Sequence, residues 1–197
     1  MRDSKDDYLF SMHYQDPHIT WKLTNQIQKA IPHPNCEIII LCIGTDRSTG
    51  DSFGPLTGSF IHQRQHDQFN IYGTLDHPVH AKNLEETLNT IHATFEKPFI
   101  IAIDAALGSI ESQNSIIVEH GSMLPGAATE QAIPAVGDLS IKGIVNVGGI
   151  MPLQVLQSTR LSIVMALAKT TAQALSLLNY RLRHIRDSQT KPVQSNS

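Results

Sequence analysis

The chain is constrained most by the run Glu37-Ile-Ile-Ile-Leu41-Cys-Ile43, which empties directly into Gly44-Thr-Asp46-Arg-Ser-Thr-Gly50-Asp51-Ser-Phe-Gly54-Pro55. An apolar run of this length, closed by glycines and acids, predicts a strand buried on both faces, as in a parallel sheet. A second such strand, Phe99-Ile-Ile-Ala-Ile103, stops on Asp104. Ligands of open α/β sheets enter the crevice outside the C-terminal ends of the strands, so two strands ending in carboxylates predict a site there.

The remaining chain alternates short apolar runs with amphipathic stretches, the pattern of parallel strands joined by crossover helices. Ile19, Leu23, Ile27 and Ile31 predict a helix over 18–31, stopped by Pro32 and Pro34. Pro55, Leu56, Phe60 and Ile61 predict another that starts near Ser52, which can cap it, leaving Asp51 just before a helix N-terminus. Further elements are a strand at 70–75, a helix at 83–95, strands at 115–118 and 142–147, and a last helix over 151–183 in one or two pieces. The connection 121–140, rich in Gly, Ala and Pro, is long enough to suggest a functional loop.

With 197 residues, 41% of them hydrophobic, the chain holds enough material for one core. The expected organisation is an N-terminal segment 1–36 whose helix packs on the domain, a single α/β domain over 37–187, and a disordered tail at 188–197. A net charge of −3 supplies no basic field for nucleic acid, and the cluster Arg181-Leu-Arg-His-Ile-Arg186 reads as a solvated helix end. Cys36 and Cys42 alone make no disulfide framework. The polar N-terminus lacks the apolar centre of a signal peptide, and Lys169 interrupts the longest apolar stretch. A cytoplasmic protein with no membrane or nucleic-acid partner is expected.

In a doubly wound sheet of flavodoxin-like order the strands at 37–43 and 99–103 are neighbours, and Asp51 and Asp104 face each other across the crevice. Two carboxyls a few ångströms apart do not ionise independently, so the pair can share one proton and supply a base and an acid together. Peptide hydrolysis by an activated water requires both. The same oxygens would also suit a divalent metal at Asp51 and Asp104, the less favoured reading; no cofactor is expected. Each residue has a simpler explanation too. Asp46 can bond its own loop, Asp51 can favour a helix N-terminus, and His80 is one of ten histidines. Asp104 has the strongest case, because an acid after a buried strand is costly unless paired or used. The glycines Gly44, Gly50 and Gly54 match neither the dinucleotide fingerprint nor a P-loop.

The loop 44–55, the strand ending Ile101-Ala-Ile-Asp-Ala105, Pro125-Gly126, Ala135-Val-Gly-Asp-Leu-Ser140 and Gly143-Ile-Val-Asn-Val-Gly148 occur in an order that resembles the spore germination protease superfamily. The similarity is strongest to its smaller YyaC-type sporulation branch, covers about residues 37–178, and extends distantly to hydrogenase-maturation endopeptidases. The resemblance implies a three-layer α/β/α sandwich with a largely parallel sheet, of the phosphorylase/hydrolase-like type. It places the two essential aspartates of the germination protease on Asp51 and Asp104. Asp46 is expected to orient the loop, and Gly44, Thr45, Gly50, His80, Gly108, Gly137 and Asp138 to contact substrate. Where hydrogenase-maturation endopeptidases carry a metal-reading histidine this chain has Gly137-Asp138, so a nickel role is not expected.

The implied activity is an aspartate-dependent endopeptidase of the sporulating cell or forespore, acting on a protein or peptide such as the small acid-soluble spore proteins. Two alternatives stand beside it: a non-catalytic binding or assembly protein that keeps the crevice, and a metal-dependent hydrolase. A homo-oligomer is compatible with all three.

Overall fold

The computed structural model describes residues 8–64, 66–125 and 134–190. Six strands form one sheet: β1 (Tyr8–His13), β2 (Ile38–Cys42), β3 (Asn70–Tyr72), β4 (Phe99–Gly108), β5 (Ser115–His120) and β6 (Leu139–Val147). Their order across the sheet is β1-β5-β6-β4-β2-β3. β2, β3, β4 and β6 pair in parallel, and β5 runs antiparallel between β6 and β1. The expected neighbours β2 and β4 are indeed adjacent, with Ile38 opposite Phe99 and Cys42 opposite Ile103.

Helices cover the two faces unequally. On one face α1 (Ile19–Ala30), α2 (Phe53–His62) and α5 (Leu161–Thr190) pack together over a core that includes Leu23, Ile27, Ile40, Phe53, Ile101, Ile103, Ile141 and Leu175. The opposite face carries α3 (Leu84–Thr94), whose Leu84 and Ile91 meet Ile39, Leu41, Ile100 and Ala102. That second layer rests on the β2 side of the sheet; a short α4 (Pro152–Gln157) stands at its C-terminal end, against the turn that carries Asp51. The fold is an α/β sandwich whose second helical layer, among the described residues, is a single helix. All five residues of β2 are buried, as its apolar run requires between two layers.

Several expectations change in detail. β4 does not end at Asp104 but runs to Gly108, because β6 continues beside it as far as Val147. No helix leaves β4; the chain turns through Ser109–Asn114 into antiparallel β5, so the crevice is not made by helices departing on opposite faces. The N-terminal segment supplies the edge strand β1 as well as a helix, paired to β5 with Phe10 opposite Val118. Ser52 does not cap α2; its hydroxyl donates to the Thr49 carbonyl (2.6 Å) inside a 3-10 turn, Gly50–Ser52, that precedes the helix.

α5 reaches Thr190, so 188–190 are helical and only 191–197 of the expected tail lie outside the described residues. By length and composition α5 is apolar enough to cross a membrane; here its apolar side, including Val164, Leu167, Leu175 and Leu178, is buried in the core. The arginines of its last turns are engaged rather than merely solvated. Arg181 donates to Asn25 and Gln28, Arg183 pairs with Asp67 at 2.7 Å, and Arg186 donates to the carbonyls of Pro34 and Cys36.

Candidate active site

Beyond the end of β2 the chain must turn sharply, and Gly44 makes this possible. Its φ is +143°, and a Cβ there would stand 2.0 Å from the Asp51 carbonyl oxygen. That oxygen accepts from Thr45 N–H (3.1 Å), closing the loop on itself. The 3-10 turn then carries Asp51, and the next residue, Phe53, is fully buried with its ring against Gly143 of β6, where a Cβ would lie 2.8 Å away. Because Gly143 is the register partner of Ala105, this contact fixes the Asp51 turn to the strand that carries Asp104.

A second loop closes the site from the β3 side. Val79 bridges Ile43 in parallel and its carbonyl accepts from Gly44 N–H (2.8 Å). His80 follows, its N–H donating to the Asn83 side chain (2.8 Å) while Asn83 donates to the Pro78 carbonyl. The Nδ1 of His80 is shielded from solvent and, among the described residues, has no hydrogen-bond partner.

These elements surround one cavity of about 810 Å³ lined by Gly44, Thr45, Asp51, His80, Asp104 and Gly108 together with β5, β6 and α4 residues. Asp104 is 6% exposed and its Oδ1 accepts from the N–H of Ala105 (2.8 Å). Burial pushes the Asp51 carboxyl above its ordinary range, with the Ser48 hydroxyl opposing. Two residues not singled out from the sequence also line the cavity. Lys142 is the register partner of Asp104 on β6, and its ammonium binds Glu119 of β5 at 2.5 Å. The available signal was the one charged residue, Lys142, in the strand segment 139–147.

Four expected site residues lie elsewhere. Asp46 is exposed on the loop and does not line the cavity, since the turn that half-buries Asp51 leaves 46 and 47 outside. Gly50 lies beneath α4, where a Cβ would stand 2.7 Å from a Leu156 methyl. Gly137 and Asp138 sit at the other end of β4: Asp138 exchanges main-chain and carboxylate hydrogen bonds with Ile100, both at 2.8 Å. They precede a parallel strand, which puts them at its N-terminal edge, away from the crevice. Of Pro125-Gly126, Pro125 lines the cavity and Gly126 lies outside the described residues. Among the described residues no three His, Cys, Asp or Glu side chains converge as a metal site.

Cys42 lies fully buried in β2, and burial pushes its thiol far above the usual range, which suits a core residue and not a nucleophile. Chemically the cavity offers a carboxyl that resists ionisation, a second, buried carboxyl whose register partner is the Glu119-bound Lys142, and a histidine nitrogen without a partner among the described residues.

A chain of known sequence, the uncharacterized protein YyaC of Bacillus subtilis (strain 168), is 48% identical over 155 residues, which cover 79% of this chain and 74% of that one. Among solved structures, the NiFe hydrogenase maturation protease HycI of Thermococcus kodakarensis KOD1 aligns at 18% identity and a TM-score of 0.42, over 71% of this chain and 92% of that one. A likeness at that level carries nothing about activity. Residues 11–174 match the family described as protein of unknown function (DUF1256). The two strands, the acidic loop and both cavity aspartates fall within that span, and the chain belongs to the DUF1256 family, as a protein of the YyaC type.

Proposed function

We propose that the protein is an endopeptidase in which Asp51 and Asp104 act as a pair on a water molecule. The observation that carries this reading is that the two carboxyls reach one cavity from separate elements, one resisting ionisation through burial and the other next to Lys142. In this reading Asp51, whose carboxyl burial holds in the protonated form, is the acid of the pair, and Asp104 is the base. Asp104 takes a proton from water, and the water oxygen bonds to the scissile carbonyl carbon. Asp51 gives its proton to the departing nitrogen as the C–N bond breaks, leaving an acid and an amine. The proton on Asp104 returns to the pair, so one water is consumed and the dyad is restored. His80 Nδ1, costly to leave unpaired in a shielded position, is assigned to a polar group of the bound substrate.

By the resemblance to germination proteases, the substrate is a protein or peptide of the sporulating cell, with the small acid-soluble spore proteins as first candidates and the cytoplasm as the compartment. The test is incubation of the purified chain with those proteins, beside Asp51→Asn and Asp104→Asn, read by mass spectrometry. Site-specific products lost in both variants while both remain folded are expected. Products that persist in either variant, or no cleavage by the folded chain across pH and added metals, would overturn the reading in favour of a binding protein.

A further inference from the structure

β4 outruns one of its neighbours. Its ladder with β2 stops at Cys42 and Ile103, where β2 gives way to the Gly44 turn, whereas its ladder with β6 continues to Gly108 and Val147. Among the described residues, β4 is therefore paired on one side only from Asp104 to Gly108. The direction of its main-chain groups follows from two hydrogen bonds. The Ile103 carbonyl accepts from Ile43 N–H (2.7 Å) on the β2 side, and the Gly108 carbonyl accepts from Gly148 N–H (2.8 Å) beyond β6. Main-chain groups alternate sides along a strand, so Ala105 and Leu107 turn theirs toward the unpaired edge.

Ala105 N–H is already taken by the Asp104 carboxylate (2.8 Å). By that alternation the Ala105 carbonyl and both main-chain groups of Leu107 are left on this edge, and both residues line the cavity. An edge with free donors and acceptors is a template for another strand, and such edges are normally covered or blunted. Here it opens beside the two carboxyls.

We propose that the open edge of β4 at Ala105 and Leu107 receives the substrate as an added strand: an extended, unstructured polypeptide segment whose main chain pairs with β4 and so brings a peptide bond to Asp104 and Asp51. Residues of the 44–51 loop and of α4 line the same cavity, so an added strand would lie between them and β4. Strand addition draws affinity from main-chain bonds and selectivity from alternate side chains. The surfaces those side chains meet are aliphatic: Ile117 and Ile144 inside, and Leu124 (69% exposed) and Leu153 (53% exposed) at the mouth. Segments with aliphatic residues at alternate positions are the substrate class. The placement of the peptide bond rests on the hydrolase reading; the pairing itself does not.

The experiment uses the Asp51→Asn chain and a synthetic heptapeptide in which Val, Leu and Ile alternate with Ser and Thr. Saturable binding with slowed exchange of the Leu107 amide is expected. N-methylation of alternate peptide nitrogens should weaken binding about tenfold in one register, by loss of main-chain hydrogen bonds, and leave it unchanged in the other. Leu107→Pro, which deletes an edge donor at a position where proline is tolerated, should weaken binding similarly; the methylated peptides carry the test should that variant not fold. A folded protein that does not bind the heptapeptide, or binds it without protecting Leu107 and without regard to N-methylation, would overturn the proposal. Wild-type chain that binds in this way without cutting would refute the hydrolase reading alone. Cutting without the methylation pattern would refute the added strand alone.

Discussion

Asp104 and Lys142 stand side by side across the β4–β6 ladder, and the lysine is tethered on its far side by Glu119 of β5. The three side chains lie on the face of the sheet that α3 leaves open, where Ala102 and Ile100 of β4 already turn toward α3. A half-exposed lysine–glutamate pair contributes under about 1 kcal/mol to stability, so its place beside a buried carboxylate is better explained by the charge it presents.

Lys142→Met tests that explanation. The urea midpoint should fall little, whereas kcat/KM for peptide cleavage should fall about tenfold through loss of the positive charge at the strand position paired with Asp104. Lys142→Arg, which keeps the charge, should recover part of the loss. Equal loss of stability and activity in Lys142→Met would make the residue structural.

Gly44→Ala should be among the most damaging single-methyl substitutions in the chain. The added carbon would meet the Asp51 carbonyl at 2.0 Å, at a φ of +143° that side chains rarely adopt. The cost expected is about 2–4 kcal/mol in urea unfolding, and any folded remainder should have lost cleavage because Asp51 is displaced. Retention of both stability and activity would show that the loop closes some other way.

The guanidinium of Arg186 joins the last turns of α5 to the connection between α1 and β2 by donating to Pro34 O (2.6 Å) and Cys36 O (3.0 Å). Arg186→Ala leaves both carbonyls to find water, at a cost of about 1–3 kcal/mol. Cys36 is buried behind that contact, and burial raises its thiol above the usual range. Labelling by a thiol reagent should therefore accelerate at Cys36 in the variant and stay negligible at Cys42. Unchanged labelling of Cys36 would mean that the contact does not hold the connection closed.

The residues legible before the fold was known are those whose meaning is local. The apolar runs 38–42 and 99–103 read as buried strands because they are short, rich in isoleucine and bounded by glycines or acids; Asp104 follows its run directly, and Asp51 closes the glycine-punctuated loop that follows the other. What stayed hidden depends on which strands pair. Lys142 and Glu119 are 23 residues apart and meet only because β5 folds back against β6. β1 is a short segment that follows a polar, charged N-terminus, and it is held as a strand by the edge that β5 offers. The continuation of β4 through Ala105-Ala-Leu-Gly108 has weak strand propensity and is imposed by β6. The resemblance implies substrate contact for Gly137 and Asp138, yet residues that enter a parallel strand lie at the end opposite those that leave one, and Asp138 bonds Ile100 there.

Asp51→Asn should separate stability from function. Burial raises the Asp51 carboxyl above its unfolded value, so the folded chain holds that proton more tightly than the unfolded chain does. Stability from this group is then complete below the unfolded value, near pH 4, and is lost as pH climbs through the raised one. At about pH 7 ionisation of this carboxyl favours the unfolded chain, and asparagine, which cannot ionise, removes that bias. The variant should therefore unfold at higher urea than wild type at neutral pH, with the difference closing toward pH 4, while cleavage is abolished throughout. A variant that is less stable at neutral pH, or more stable by the same margin at both ends of the range, would show that Asp51 is not held in the fold against its own ionisation.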